Sequence, residues 1–224
     1  LSWSRLEAFH ADVAHELRSP LTNLIGQTQV ALTRGRSAEH YFEVLQSNLE
    51  ELERLRSIIN DMLFLASADQ GSKATALIST SLAEEVATTL DYLDYILEDA
   101  QVRVEVSGDA QARIEKAHLR RALINLLNNA VQHTEPGQVI RVEIHSGNGQ
   151  VGIDVSNPGP AIADEHLARL FERFYRVDAA RSNAGGGNHG LGLAIVKAIA
   201  VMHGGSVFVR SQAGANTFGI LLPA

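Results

Sequence analysis

Phe9-His10-Ala11-Asp12-Val13-Ala14-His15-Glu16-Leu17-Arg18-Ser19-Pro20-Leu21 sets an imidazole beside a carboxylate inside a helical apolar pattern. Leu6, Phe9, Val13, Leu17 and Leu24 recur at three-, four- and seven-residue steps, the spacing of one helix face. Downstream, Leu45, Leu52, Ile59 and Ala66 recur every seven residues, with Leu55 and Met62 three after two of them. That is a heptad seam, flanked by charges such as Glu50, Glu53 and Arg54. Arg34-Gly35-Arg36-Ser37 interrupts the two patterns, and Ser37 with Glu39 and His40 is suited to start the second helix. Two helices with wide apolar stripes cannot bury them alone. Residues 1–70 are therefore expected to form a helical hairpin that pairs with a second copy, giving a dimeric four-helix bundle.

Beyond the hairpin, Gly71, Ser72, Lys73 and Thr75 carry no strong period, and 71–80 reads as a linker. From 81 the pattern changes. Ser81-Leu82-Ala83-Glu84-Glu85 is a capped helix start, with the helix running to about Ala100. Val102, Val104 and Val106, then Ile140, Val142 and Ile144, then Val151, Ile153 and Val155 alternate as strands do. Glu115 to His133 reads as a helix, Gly147-Asn148-Gly149 as a hairpin turn, and Gly190 to His203 as a helix after a glycine-rich loop. Val207 and Val209, then Phe218, Ile220 and Leu222, close the sheet. Helices mixed with hairpin-linked strands make residues 81–224 an α+β sandwich with one helical layer.

Composition narrows the function. The chain has 224 residues, no cysteine and a net charge of -7. No disulfide framework or thiolate metal site exists, and a broad nucleic-acid footprint is disfavoured. No apolar run reaches the ~18 residues of a membrane span, and no signal peptide is visible. The chain begins at Leu1 in an already helical pattern, which suggests a soluble fragment whose first helix continued upstream.

Three segments carry nucleotide chemistry. Asn125 and Asn129 are four apart, so they share a helix face, where two carboxamide oxygens can ligate a hard cation that also bridges phosphates. Asn157-Pro158-Gly159 follows a strand, and its carboxamide can accept from the adenine 6-amino group. Gly185-Gly186-Gly187-Asn188-His189-Gly190-Leu191-Gly192-Leu193 precedes a helix, where glycines let the backbone approach phosphates. Each has an ordinary alternative taken alone: surface amides, a plain turn, a surface loop. On the hairpin, neutral His15 can attack phosphorus near pH 7, and Glu16 can take the proton from its other ring nitrogen. Pro20 is expected to loosen the helix one turn later. A lone helical histidine is usually just a surface residue. His10 and His15 lie ~140° apart around a helix and make a poor chelating pair. His40, His118, His145, His166 and His203 show no ligand spacing.

In order along the chain, these segments resemble the sensor histidine kinases, whose ATP domain shares its fold with gyrase, heat-shock-90 and mismatch-repair ATPases. Phe9–Leu21 is similar to the family's H box, Asn125–Ala130 to its N box and Asn157–Ile162 to its first glycine box. Phe171-Glu172-Arg173-Phe174-Tyr175-Arg176 is similar to the F box, Gly185–Leu193 to the second glycine box, and Gly214–Pro223 to the last strand. Ala11–Glu16, Asn23-Leu24-Ile25, Asn48–Leu52, Asp61–Ala66 and Asn157-Pro158-Gly159 look closest to the copper- and silver-responsive kinases.

The resemblance implies Mg-ATP on residues 81–224, with Mg²⁺ at Asn129 and, secondarily, Asn125. It implies nucleotide contacts from Gln132, His133, Asn157, Gly159, Ile162, Arg173, Tyr175, Gly187, Gly190, Leu191, Gly192 and Thr217, under a lid spanning Asp178 to His189. It implies phosphorylation of His15 with help from Glu16, transfer to an aspartate of a response regulator, and Ser19 orienting water for dephosphorylation. The parent would be a homodimer anchored in a bacterial inner membrane through a missing N-terminal region, this portion being cytoplasmic. Three departures stand out. Asn157 replaces the usual Asp, Gln132 replaces a common basic residue whose role His133 or an F-box arginine would share, and Ser19 replaces Thr or Asn. Gln132 and Asn157 keep open a dimerising module with a degenerate ATP domain. A gyrase-type clamp and a protein-serine kinase are further alternatives.

Overall fold

The computed structural model describes residues 3–177, 189–212 and 214–224, with the backbone alone for residues 3–12 and 15. It divides into two compact units. The first comprises the described residues up to Phe64 together with His189; the second comprises residues 65–177 and the described residues from Gly190 onward. The division falls inside a helix, ahead of the hairpin boundary at 70 expected from the sequence.

The first unit is the predicted hairpin. Helix α1 spans Trp3–Leu32 and helix α2 spans Ala38–Asp69. Ser37 starts α2, its Oγ accepting the His40 N–H at 3.3 Å. Asn48 Nδ2 donates to Thr28 Oγ1 at 3.1 Å across the pair. Pro20 lies inside α1 without ending it. The expected loosening therefore shows as no break in the helix; what Pro20 removes is one backbone donor. The heptad residues Leu45, Leu52 and Ile59 remain exposed, as do Leu49 and Leu63. A single chain thus leaves an apolar stripe uncovered.

The second unit is a five-stranded sheet covered on one face by helices. Strands β2 (Arg103–Ser107), β4 (Val139–Gly147), β5 (Gln150–Gly159), β7 (Gly214–Pro223) and β6 (Ser206–Gln212) lie in that order. Among the described strands of this sheet only the β2–β4 pair is parallel. The β4–β5 turn uses positive φ at Asn148 and Gly149, 53° and 73°, the conformation Asn-Gly favours in two-residue hairpins. Val142 and Ile144 pair with Val155 and Ile153, and these four and Ile140 are all buried. Helices α3 (Leu82–Asp99), α4 (Lys116–Gln132) and α6 (Gly192–Met202) supply the opposing layer, through Val86, Leu93, Leu119, Leu126, Ile195 and Ile199. A single turn, α5, spans Asp164–Leu167.

Two details escaped the sequence. Ile78–Ser81 is a strand, β1, pairing antiparallel with β3 (Gln111–Ile114), so the segment read as linker 71–80 ends in sheet. The cap of α3 is also double. Ser81 Oγ accepts Glu84 N–H at 3.2 Å, while Asp109 Oδ1 accepts from Ser81 Oγ, Ala83 N and Ala110 N. Those bonds, led by that of Ala83, hold the Asp109 carboxyl below the usual carboxylate range.

Candidate functional site

In the second unit, the C-terminal end of α4 meets the end of β5, where Asn157 Nδ2 donates to His133 O. Leu119, Leu123, Leu126, Leu127 and Ala130 bury the core face of α4, and Asn129 lies among them at 7% exposure. The Asn129 Nδ2 is buried with no hydrogen-bond partner among the described residues. A buried amide with unmet capacity is costly unless something else meets it, and a phosphate oxygen fits that donor. Asn125 instead spends its Nδ2 on Arg121 O at 3.0 Å within its own helix.

Asn157 is 2% exposed. Its Nδ2 donates to Pro158 O at 2.9 Å and to His133 O at 3.4 Å. Two carbonyls can only accept, so the amide orientation is determined and Oδ1 is left as a buried acceptor with no partner among the described residues. An amine donor such as the adenine 6-amino group fits that atom. The same His133 carbonyl ties the end of α4 to this strand. Desolvation, then the Arg176 charge, lowers the His133 pKa, so the ring supplies no standing cation in place of the one missing at Gln132, the last residue of α4.

The structure corrects one expected contact. Consecutive strand residues face opposite ways, and the burial of β7 runs through Asn216, Phe218, Ile220 and Leu222. Thr217 therefore faces away from Asn157, and its Oγ1 lies 2.7 Å from Ser156 Oγ. Asn216 is the residue opposite Asn157 and on its face. The family resemblance implied Thr217; the alternation of Asn216 with Phe218, Ile220 and Leu222 was the signal that pointed one position earlier. Ile162 contributes through its backbone, donating its N–H to Ser211 Oγ at 2.7 Å.

The F-box residues are tied to protein groups. Arg173 Nη2 donates to Asp69 Oδ1 at 2.7 Å and to Leu65 O at 3.4 Å. Tyr175 Oη is 2.6 Å from His166 Nδ1, and the Arg169 guanidinium stacks on its ring at 4.1 Å. Phe174 N–H donates to Gly190 O at 2.8 Å. Leu191 is buried and accepts the Ile195 N–H at 2.9 Å as Gly192 opens α6. Gly187, the rest of Gly185–Asn188 and the proposed lid up to Asn188 lie outside the described residues.

In the first unit His15 lies on α1, and its side chain lies outside the described residues. Glu16, beside it, belongs to a chain of bonds the sequence did not announce. Arg54 Nε donates to His189 Nε2 at 3.3 Å, which leaves Nδ1 to carry the proton toward Glu16 Oε2 at 3.2 Å. Burial first, and then Arg54, lowers the His189 pKa against the opposing pull of Glu16 and Asp61, so the neutral ring fits this arrangement. Ser19 is exposed one turn along. Among the described residues no cluster of three or more His, Cys, Asp or Glu could hold a metal, and no helix is long and apolar enough to cross a membrane.

Comparison with known proteins places both units. The His Kinase A (phospho-acceptor) domain family matches residues 5–71, and the Histidine kinase-, DNA gyrase B-, and HSP90-like ATPase family matches residues 114–224. The chain is 46% identical over 222 residues to the Sensor histidine kinase CusS of Escherichia coli O157:H7, covering 99% of this chain and 46% of that protein. It is 41% identical to the Sensor protein IrlS of Burkholderia pseudomallei, covering 100% and 48%. The chain thus spans about half the length of the curated relatives it matches. Among solved structures, the Acinetobacter baumannii histidine kinase AdeS superposes with a TM-score of 0.74 at 22% identity, covering 93% of this chain and 97% of that one, a likeness of fold.

Proposed function

Because this chain belongs to the sensor histidine kinase family, we propose that it is the catalytic core of an ATP-dependent protein-histidine kinase acting in a response to metal ions of the copper or silver kind. ATP binds the second unit. The observation that carries this is Asn157, whose amide is turned by two carbonyls so that a buried acceptor is left without a partner among the described residues. The 6-amino group of adenine satisfies it. Asn129 meets a phosphate oxygen or, through Oδ1, the Mg²⁺ that neutralises the phosphates, with Asn125 as the lesser ligand. Gly190, Leu191 and Gly192 lead into α6 on the phosphate side.

The neutral His15 imidazole attacks the γ-phosphorus, the bond to the ADP oxygen breaks, and Glu16 takes the proton released from the other ring nitrogen. The phosphoryl group then passes to an aspartate on a response regulator, and Ser19 orients water when the enzyme runs as a phosphatase. Homodimerisation through the exposed stripe of Leu45, Leu52 and Ile59 completes a four-helix bundle. The parent protein is anchored in the membrane and senses outside the cytoplasm, and this core works on the cytoplasmic side.

Incubation with γ-labelled ATP tests the assignment. Wild type should acquire acid-labile label, and His15→Gln should acquire none while still binding ATP. Asn129→Ala should lose Mg-dependent nucleotide binding. Equal labelling of His15→Gln, or unchanged calorimetric affinity in Asn129→Ala, contradicts it.

A further inference from the structure

The segment after Asn157 is held by a one-way chain of hydrogen bonds. Ile162 N–H donates to Ser211 Oγ at 2.7 Å. A backbone N–H can only donate, so the Ser211 hydroxyl is free to pass its own hydrogen to Asn216 Oδ1, 2.6 Å away. That orients the Asn216 amide, and Nδ2 donates to Pro160 O at 3.0 Å. The chain closes around Ala161, gripping the loop on both sides. Asn216 is 6% exposed and stands directly across the ladder from Asn157. A Cβ at Gly159 would come within 3.2 Å of Asn216 Nδ2, so this glycine also makes room for the clasp.

We propose that Asn216, oriented by Ser211, is a positioning residue for base recognition. It holds residues 159–162 so that the Asn157 acceptor meets a 6-aminopurine without prior rearrangement. The inference rests on the reading of Asn157 given above. Asn216 touches no nucleotide atom in this scheme; both ends of its amide are spent on Ser211 and Pro160. Its effect is preorganisation, which shows in nucleotide affinity and base selectivity rather than in the chemical step.

The test measures binding of ATP and of purine riboside triphosphate, which lacks the 6-amino group, to the whole chain. It adds the rate of His15 labelling at saturating ATP and the melting temperature. Asn216→Ala should weaken ATP binding by about tenfold, the scale of one or two lost hydrogen bonds. The preference for ATP over the purine riboside analogue should shrink toward one, with the saturated labelling rate within about twofold of wild type. Ser211→Ala should move the preference in the same direction. Asn216→Asp is a near-isostere that sets a carboxylate oxygen against Pro160 O, and it should not restore the preference. Asn157→Ala serves as the reference. If it abolishes the preference while Asn216→Ala and Ser211→Ala keep it, this proposal falls and the site reading stands. If Asn157→Ala also keeps it, the site reading falls and this proposal with it.

Discussion

Phe174 and Gly190 are joined backbone to backbone, and both occupy left-handed conformations, with φ of 59° and 69°. The Phe174 N–H donates to Gly190 O at 2.8 Å. Phe174 lies in the F box and Gly190 in the second glycine box, so one bond links two motifs whose proposed task is to flank the phosphates. A Cβ at Gly190 would stand 2.7–2.8 Å from the Phe174 backbone.

Gly190→Ala therefore meets two obstacles, a positive φ and a clash with main chain that cannot swing aside. We expect a loss of about 1–3 kcal/mol in the second unit, read by urea unfolding, together with weakened ATP binding. Wild-type stability in Gly190→Ala would show that this junction yields easily.

Glu85 is buried, and it is held by Lys116 Nζ at 2.8 Å and Arg120 Nη2 at 3.2 Å, both about half exposed. The cations can return to water if the carboxylate goes, but the carboxylate cannot. Glu85→Gln should cost about 1 kcal/mol, whereas Lys116→Ala combined with Arg120→Ala, which strands a buried charge, should cost about 3–5 kcal/mol. The double variant should exceed the sum of its single changes. Equal losses for Glu85→Gln and for the double variant would contradict this ordering.

His118 faces Glu115, His203 and Arg121, and its ring packs edge-on against His203 at 5.9 Å. Desolvation is the main cause of its lowered pKa, outweighing the pull of Glu115. Unfolded, the ring titrates near ~6.5. The unfolded chain thus binds the proton first as pH falls, and stability should decline from about pH 6.5 downward until the folded ring also protonates. Denaturant midpoints between pH 8 and 5 check this, and His118→Gln should flatten part of the slope. An unchanged slope in that variant would remove His118 from the account.

Leu45, Leu52 and Ile59 are 67%, 53% and 46% exposed in the single chain. If their stripe is the dimer seam, Leu52→Glu should convert a dimer into a monomer in sedimentation equilibrium while leaving ATP binding by the second unit intact. A monomeric wild type, or a dimer untouched by the change, would place self-association elsewhere.

Much of this fold was legible because each kind of element spaces its apolar residues by its own period. The heptads of α2, the alternation of Ile140–Ile144 and Val151–Val155, and the Asn148-Gly149 turn all use local spacing, and each appears where the spacing put it. The pair β1–β3 was not legible: Ile78–Ser81 is short, and what makes it a strand is a partner over thirty residues away. Thr217 shows the same limit at the site. The resemblance implied a nucleotide contact there, but which of two neighbouring polar residues faces Asn157 is settled by register.

The sequence by itself determined the order and chemistry of the motifs: an imidazole beside a carboxylate, paired asparagines, an Asn-Pro-Gly turn and a glycine-rich helix entry. It also determined the family, because those signals are local in the chain and their spacing is read directly. Only the tertiary structure decided how the groups are used. The carbonyls of His133 and Pro158 choose which end of Asn157 is free, and Ser211 chooses which way Asn216 turns. Those choices are made by hydrogen-bond partners that only the folded backbone sets in position, and a donor or acceptor has no direction until its partner is in place.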